Sequence, residues 1–364
     1  MKDLMLYFHI PFCVSKCAYC SFYSIPKAKE ELKEEYANAL IRQTKLFENS
    51  DKYTVRSVYF GGGTPTVLGV DRLEKVFNSV FETFNVINNA EVTIEVNPCT
   101  VDKQGLSLLK SIGVNRLSIG AQSFNDKTLK LLNRAHSADD FLRCYSQARK
   151  VGFSNISADL IFALPNETLA DFTHSVNSLI ELKPEHVSIY GLSVDEGTPL
   201  FKNKSSYAFP SEDEEEQQYE VLCKLLKMAG YSHYEISNFS LPNYESKHNC
   251  GYWQRMPYFG FGAGAHSFFK CRRFEAARDV LAFIKNSHIS FTAPTNYDNS
   301  VPLSEVEAEE ERIMLGLRLK RGVEITKPVP KYLLDNGLVK KHGNTVSLTE
   351  RGFRVSNSII AMLI

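Results

Sequence analysis

Between residues 4 and 190 short apolar runs alternate with amphipathic stretches, and this rhythm restricts the fold more than any other property of the chain. Runs at 4–8, 55–60, 92–96, 117–119, 156–160 and 187–190 read as strands. Helix-period patterns fill the intervals at 30–47, 71–84, 102–112, 125–132, 138–151 and 168–182. In the first of these Leu32, Tyr36, Leu40 and Phe47 fall at roughly helical spacing. Strand–helix–strand repeats build parallel sheets through right-handed crossovers. Six such units predict an α/β fold with a partial (β/α)6 TIM-type barrel; a doubly wound open sheet is the alternative that rhythm alone leaves standing. The polar residues favour the barrel. Cys13, the glycines 61–63 with Thr64, Glu95, Gln122, Asp159 and Ser193 end or follow successive strands. In a barrel the strand C-termini converge on one mouth, where catalytic groups collect.

Past Thr198 the rhythm stops. The acidic run "SEDEEEQQYE" (211–220) reads as a capped helix start: Ser211 is the N-cap, and acids in the first turn suit the helix dipole. Residues 235–266, rich in aromatics, Gly and His, read as a long irregular stretch of the functional kind. Helices at 305–320 and 328–336, then a strand, a Gly-Asn turn and a strand, form a winged-helix-like α+β module whose expected role is packing or covering a substrate. The expected domains are a barrel core at 1–205, a barrel extension at 206–300 and the C-terminal module at 301–364.

Charge is balanced, with 42 Lys and Arg against 42 Asp and Glu, so no global electrostatic case exists for nucleic acid. No apolar run has the length of a membrane span. The start, "MKDLMLYFHIP", has too short an apolar core for a signal peptide and reads as a strand. Five of the eight cysteines are scattered (Cys99, Cys144, Cys223, Cys250, Cys271). That pattern suits a reducing, cytoplasmic setting with one metal site.

The other three cysteines stand together in "HIPFCVSKCAYCSF", as Cys13, Cys17 and Cys20. Three thiols are odd for a disulfide framework and one short of a four-ligand zinc site. They suit a [4Fe–4S] cluster that leaves one iron free for another ligand. Zinc keeps one serious form, a Cys3His site completed by His9. In "SVYFGGGTP" three glycines follow a strand without the Lys-Ser/Thr of a phosphate loop or the GxGxxG of a dinucleotide fold. They let a ligand approach the backbone closely, and a tight strand-end turn accounts for them equally well.

CxxxCxxC in the first loop, Gly-Gly-Gly-Thr-Pro after the second strand and a partial barrel together resemble the radical S-adenosylmethionine (SAM) superfamily. "YFHIPFC", "YFGGGTPT", "EVNP", "NRLSIGAQSF", "LNRAH", "ADLIFALP", "HYEISNF" and "HNCGYW" resemble its coproporphyrinogen dehydrogenase-like branch, over nearly the whole chain. The resemblance implies that Cys13, Cys17 and Cys20 hold the cluster and that the open iron chelates SAM. An electron from the cluster then cleaves the sulfonium and releases a 5′-deoxyadenosyl radical. By the same resemblance Tyr7, Gly62 and Glu95 contact the cluster-bound SAM. Tyr19, Gly63, Thr64, Gln122, Arg134 and Asp159 match positions where dehydrogenase members bind a second SAM, and Ser193 joins the cofactor-binding candidates.

Two functions compete within the branch: oxygen-independent coproporphyrinogen III oxidation (dehydrogenation), and heme carriage. The dehydrogenase pattern has a fourth Cys where this chain has Phe22, and an N-terminal extension where this chain begins its first strand. "HNCGYW" matches the HNxxYW motif associated with heme binding in the chaperone group. His248 would be an axial ligand, with Asn249, Tyr252 and Trp253 around the porphyrin; Cys250 and His266 are further ligand candidates. The expectation is a heme chaperone whose partners are heme or a porphyrin, a heme-accepting protein and an electron donor for the cluster. A metal-stabilised binding module without SAM chemistry is the alternative of another class, and the intact SAM-contact motifs speak against it.

Overall fold

The structure is a computed structural model and describes residues 1–290, 292, 297 and 299–364. The end of the expected barrel extension, 206–300, falls partly outside the described residues. The strands that carry the fold are β1 (Lys2–Ile10), β2 (Tyr53–Gly62), β3 (Asn85–Val96), β4 (Arg116–Gln122), β5 (Ile156–Phe162), β6 (His186–Gly191), β7 (Ser232–Glu235), β8 (Asn238–Ser240), β9 (Tyr258–Phe261), β10 (His266–Phe269), β11 (Arg272–Glu275) and β12 (Val301–Pro302). They form one mixed 12-stranded sheet in the order β12-β11-β10-β9-β1-β2-β3-β4-β5-β6-β8-β7. From β9 through β1 to β6 every pairing is parallel; the flanks are antiparallel. This is the partial barrel, with the helices of the six expected strand–helix units in place.

Burial explains why the strands read as nearly continuous apolar runs: in β1, Leu4, Met5, Leu6, Phe8 and Ile10 are all inside. Phe8 stacks between its register partners, 4.6 Å from Phe60 and 4.8 Å from Phe261. Helix α1 (Glu30–Lys45) locks onto this seam, with the Tyr36 hydroxyl donating to His9 O (2.8 Å) and accepting from Ala263 N (3.0 Å). The acidic run is a helix start: Ser211 and Glu214 form a capping box.

Two expectations need correction. Residues 235–266 are not irregular; they contain β8, a helix at Lys247–Trp253 and β9. Each element is only three to seven residues long, too short to show a period. The helix expected at 305–320 ends at Gly316, where the side chain of Val323 packs onto the glycine. The C-terminal module keeps its own core (Ile313, Leu317, Leu333, Val346, Leu348, Phe353, Ile360). It meets the barrel through a Glu235–Leu319 bridge and through Glu311, which pairs with Arg255 (2.5 Å) and Arg273 (2.8 Å).

Candidate functional site

The cysteine loop starts and ends on a short parallel pairing of Phe12–Cys13 with Ile25–Pro26. Its middle is tied down at Ala18, whose N–H donates to Leu132 O (2.9 Å) and whose carbonyl accepts from Leu200 N (2.8 Å). Cys13, Cys17 and Cys20 are all half-buried and line one cavity of about 460 Å³ at the C-terminal ends of the parallel strands. Burial raises the Cys13 and Cys20 thiols above their ordinary range. Thr64 Oγ1 lies 3.8 Å from Cys13 Sγ, and Arg134 Nη1 lies 3.5 Å from Cys17 Sγ.

The glycines are dictated by this crowding. Gly62 has φ +114°, and a Cβ there would enter the His9 ring. A Cβ on Gly63 would meet Phe12 O at 2.7 Å and Cys13 Sγ at 3.0 Å. His9 itself is turned away from metal chemistry. Its Nδ1 lies 3.0 Å from the Tyr7 hydroxyl and its Nε2 3.4 Å from Tyr23 O. Burial lowers its pKa to about 4. Among the described residues, no three His, Cys, Asp or Glu side chains converge as a single ion would require. The Cys3His zinc reading therefore does not fit.

Two carboxylates, Glu95 and Asp159, form part of the same cavity wall. Glu95 accepts from the Tyr59 hydroxyl (2.8 Å) and Gly62 N (3.2 Å). Burial pushes its pKa up to about 7, and Asp159 adds to the rise. Asp159, raised likewise by burial, accepts from Ser118 Oγ and Ser157 Oγ, each at 3.0 Å. Arg134 Nη2 donates to Gly120 O (3.3 Å), but its Nε has no partner, nor does the buried Oδ1 of Asn97. Both residues line the cavity. Orphaned buried donors and acceptors are rare, and these two belong to residues of the cavity lining.

Twelve expected residues meet in this cavity: Cys13, Cys17, Tyr19, Cys20, Gly62, Gly63, Thr64, Glu95, Gln122, Arg134, Asp159 and Ser193. Tyr7 stands behind the wall, stacked 6.1 Å from Tyr59. Tyr59, Asn97, Ser118 and Tyr190 also line it and were missed. Period-two alternation offered a signal for Asn97, two residues beyond Glu95.

The HNCGYW residues lie elsewhere. His248 is buried, with Nδ1 2.8 Å from Ser57 Oγ, Nε2 2.8 Å from the Tyr252 hydroxyl and its ring stacked 5.0 Å from Tyr59. Burial lowers its pKa to about 3. Glu91 of β3 accepts from the backbone N–H of Lys247 (2.9 Å) and His248 (3.0 Å), and Asn249 N donates to the N-cap Ser246 (3.3 Å). Trp253 Nε1 donates to Glu235 Oε2 (2.9 Å), and the Arg318 guanidinium lies 5.2 Å from the Trp253 ring. None of these side chains reaches the cysteine cavity.

Comparison with known proteins adds three findings. The family described as the Radical SAM superfamily matches residues 7–179. The chain is 34% identical to the heme chaperone HemW of Lactococcus lactis subsp. lactis (strain IL1403), over 98% of this chain and 96% of that protein. It is 33% identical to the heme chaperone HemW of Bacillus subtilis (strain 168), over 97% of each. Among solved structures, the coproporphyrinogen III oxidase HemN of Escherichia coli superposes with a TM-score of 0.83 at 21% identity, covering 100% of this chain and 90% of that one; this likeness speaks for the fold alone.

Proposed function

The chain belongs to the HemW family of the radical SAM superfamily, and from that premise we propose that it is a heme chaperone, holding a [4Fe–4S] cluster and SAM at the barrel mouth and passing heme to an acceptor protein. The observation that carries this reading is the end-to-end match to HemW proteins, 98% of the chain in one case. The site supports it. Cys13, Cys17 and Cys20 supply three thiols to one cavity, as a cluster with one open iron needs. The Arg134 guanidinium beside Cys17 offsets thiolate charge and lines the cavity, where it can pair with a carboxylate. Glu95 and Asp159 offer acceptors to hydroxyl or amino groups, and Asn97 Oδ1 another. When bound, the cluster would supply the electron for sulfonium cleavage; the chain's own residues bind, orient and balance charge. Phe22 stands in place of a fourth cysteine and is 70% exposed at the cavity lip.

The eight cysteines are all free, in keeping with a reducing cytoplasm. Among the described residues no helix is long and apolar enough to cross a membrane. The test is anaerobic reconstitution with iron and sulfide, then parallel titration with hemin and SAM. Hemin should shift its Soret band on binding, and coproporphyrinogen III should give no protoporphyrinogen. Stoichiometric SAM-dependent vinyl formation would overturn the carrier in favour of the oxidase.

A further inference from the structure

A heme carrier needs an axial ligand that it can offer and withdraw, so a ligand site inferred on that ground rests on the carrier reading. The HNCGYW helix offers no such ligand freely. Both ring nitrogens of His248 are bonded inside the fold, and burial pushes the Cys250 thiol up to about 12. His266 differs. It opens β10 just after the turn that leaves the C-terminal end of β9, and its side chain is 60% exposed. Its Nε2 lies 2.9 Å from Glu275 Oε2, its cross-strand register partner. Nδ1 has no hydrogen-bond partner among the described residues.

The surroundings are the cysteine loop. A Cβ on Gly264 would meet the Tyr23 ring at 3.1 Å and Arg278 Cγ at 3.5 Å, so turn, loop and Arg278 touch. The His9 ring lies against Gly62 of the cavity wall and stacks 6.4 Å from Tyr23. Phe22, exposed, directly precedes Tyr23. Arg278 is 59% exposed and lies 4.0 Å from Glu275.

We propose that heme docks on this flank of the cysteine loop, with His266 as axial ligand, Phe22 and Tyr23 against the porphyrin, Arg278 on a propionate, and Glu275 competing for the ligand nitrogen. An exposed His–Glu pair across two strands is commonplace by itself; flat rings and a guanidinium beside the loop set this one apart. The porphyrin plane leaves little room next to the carbon bearing the side-chain stem, so iron takes Nε2. The Fe–N bond forms as the Glu275 contact breaks, and the ring keeps its one proton by moving it to Nδ1. Exposed pairs contribute little net free energy, so iron can displace the carboxylate and the carboxylate can return. The site therefore lends its cargo.

The test uses the full-length reconstituted protein, titrated with hemin, with transfer to apomyoglobin followed by stopped flow. His266→Ala should weaken hemin binding at least ~10-fold, the loss of one good ligand bond, with iron and sulfide content unchanged. Its electron paramagnetic resonance spectrum should lose the axial imidazole signature, which the folded fraction of His248→Ala keeps. Glu275→Gln should bind hemin more tightly and release it more slowly. A His266→Ala protein with wild-type affinity and spectrum overturns the site. Weaker binding by Glu275→Gln overturns the competitor role. Failure of the wild type to bind hemin would remove the carrier reading itself, and this site with it.

Discussion

The cysteine cavity and the HNCGYW helix are both built from polar and aromatic residues, yet they differ in what remains unmet. Around the cavity three thiols and two carboxylates, Glu95 and Asp159, line open space. Around the helix each named group is answered: His248 by Ser57 and Tyr252, Trp253 by Glu235, the helix N-terminus by Glu91. Thiols and carboxylates that line open space suit a site that takes a ligand, whereas side chains sealed by hydrogen bonds suit a structural joint. The contrast predicts a binding site at the cavity and a structural joint at the HNCGYW helix, between β2, β3 and the C-terminal module.

The largest effect that could break the contrast is all-or-none. Replacing Cys13, Cys17 or Cys20 by Ala should abolish the brown chromophore and the labile sulfide, with a smaller change in apoprotein stability, because the thiols are only half-buried. One zinc and no sulfide in protein purified without air would refute the cluster.

Next in size, His248→Ala should cost about 2–4 kcal/mol of stability, because it leaves a void and strips two buried hydroxyls of their partner. Denaturant unfolding measures this. Iron and sulfide per folded chain should stay as in the wild type. A stable His248→Ala protein that binds no heme would make the helix a binding element after all.

Glu95→Gln should weaken SAM binding by about 1–3 kcal/mol, the loss of charge-assisted hydrogen bonds. The smallest effect sharpens the contrast. Glu95 and Glu235 are both pushed up to about 7 by burial from an ordinary 4.5. Between those values the folded state binds more protons than the unfolded, so apoprotein stability falls as pH rises through about 4.5 to 7. SAM, touching only the first, should move the Glu95 titration downward and leave Glu235 in place. Carboxyl-labelled NMR reads both, and equal shifts would dissolve the distinction.

The parallel strands were legible because long repeats with two periods specify them, and the cavity was legible because its residues end successive strands. β9 was not: "YFGF" has no alternation and reaches its partner β1 across more than 240 residues of chain. The HNCGYW residues were legible as a motif, but the bond that seals His248 comes from Ser57 on β2, which no local pattern announces. Residue types can nominate an imidazole as a ligand; only its neighbours decide whether its nitrogens are free.

The anchoring of the cysteine loop bears on how long the protein lasts in a cell. Ala18 joins the loop to Leu132 and Leu200, segments more than 110 and 180 residues away in sequence. A cluster held by the loop would stiffen not only three thiols but the attachment of two distant parts of the barrel, and by mass action it would raise the free energy of opening them. Without iron those attachments open more often, and proteases act on what opens. On that argument, iron supply would bear on the abundance of this chain as well as on its competence.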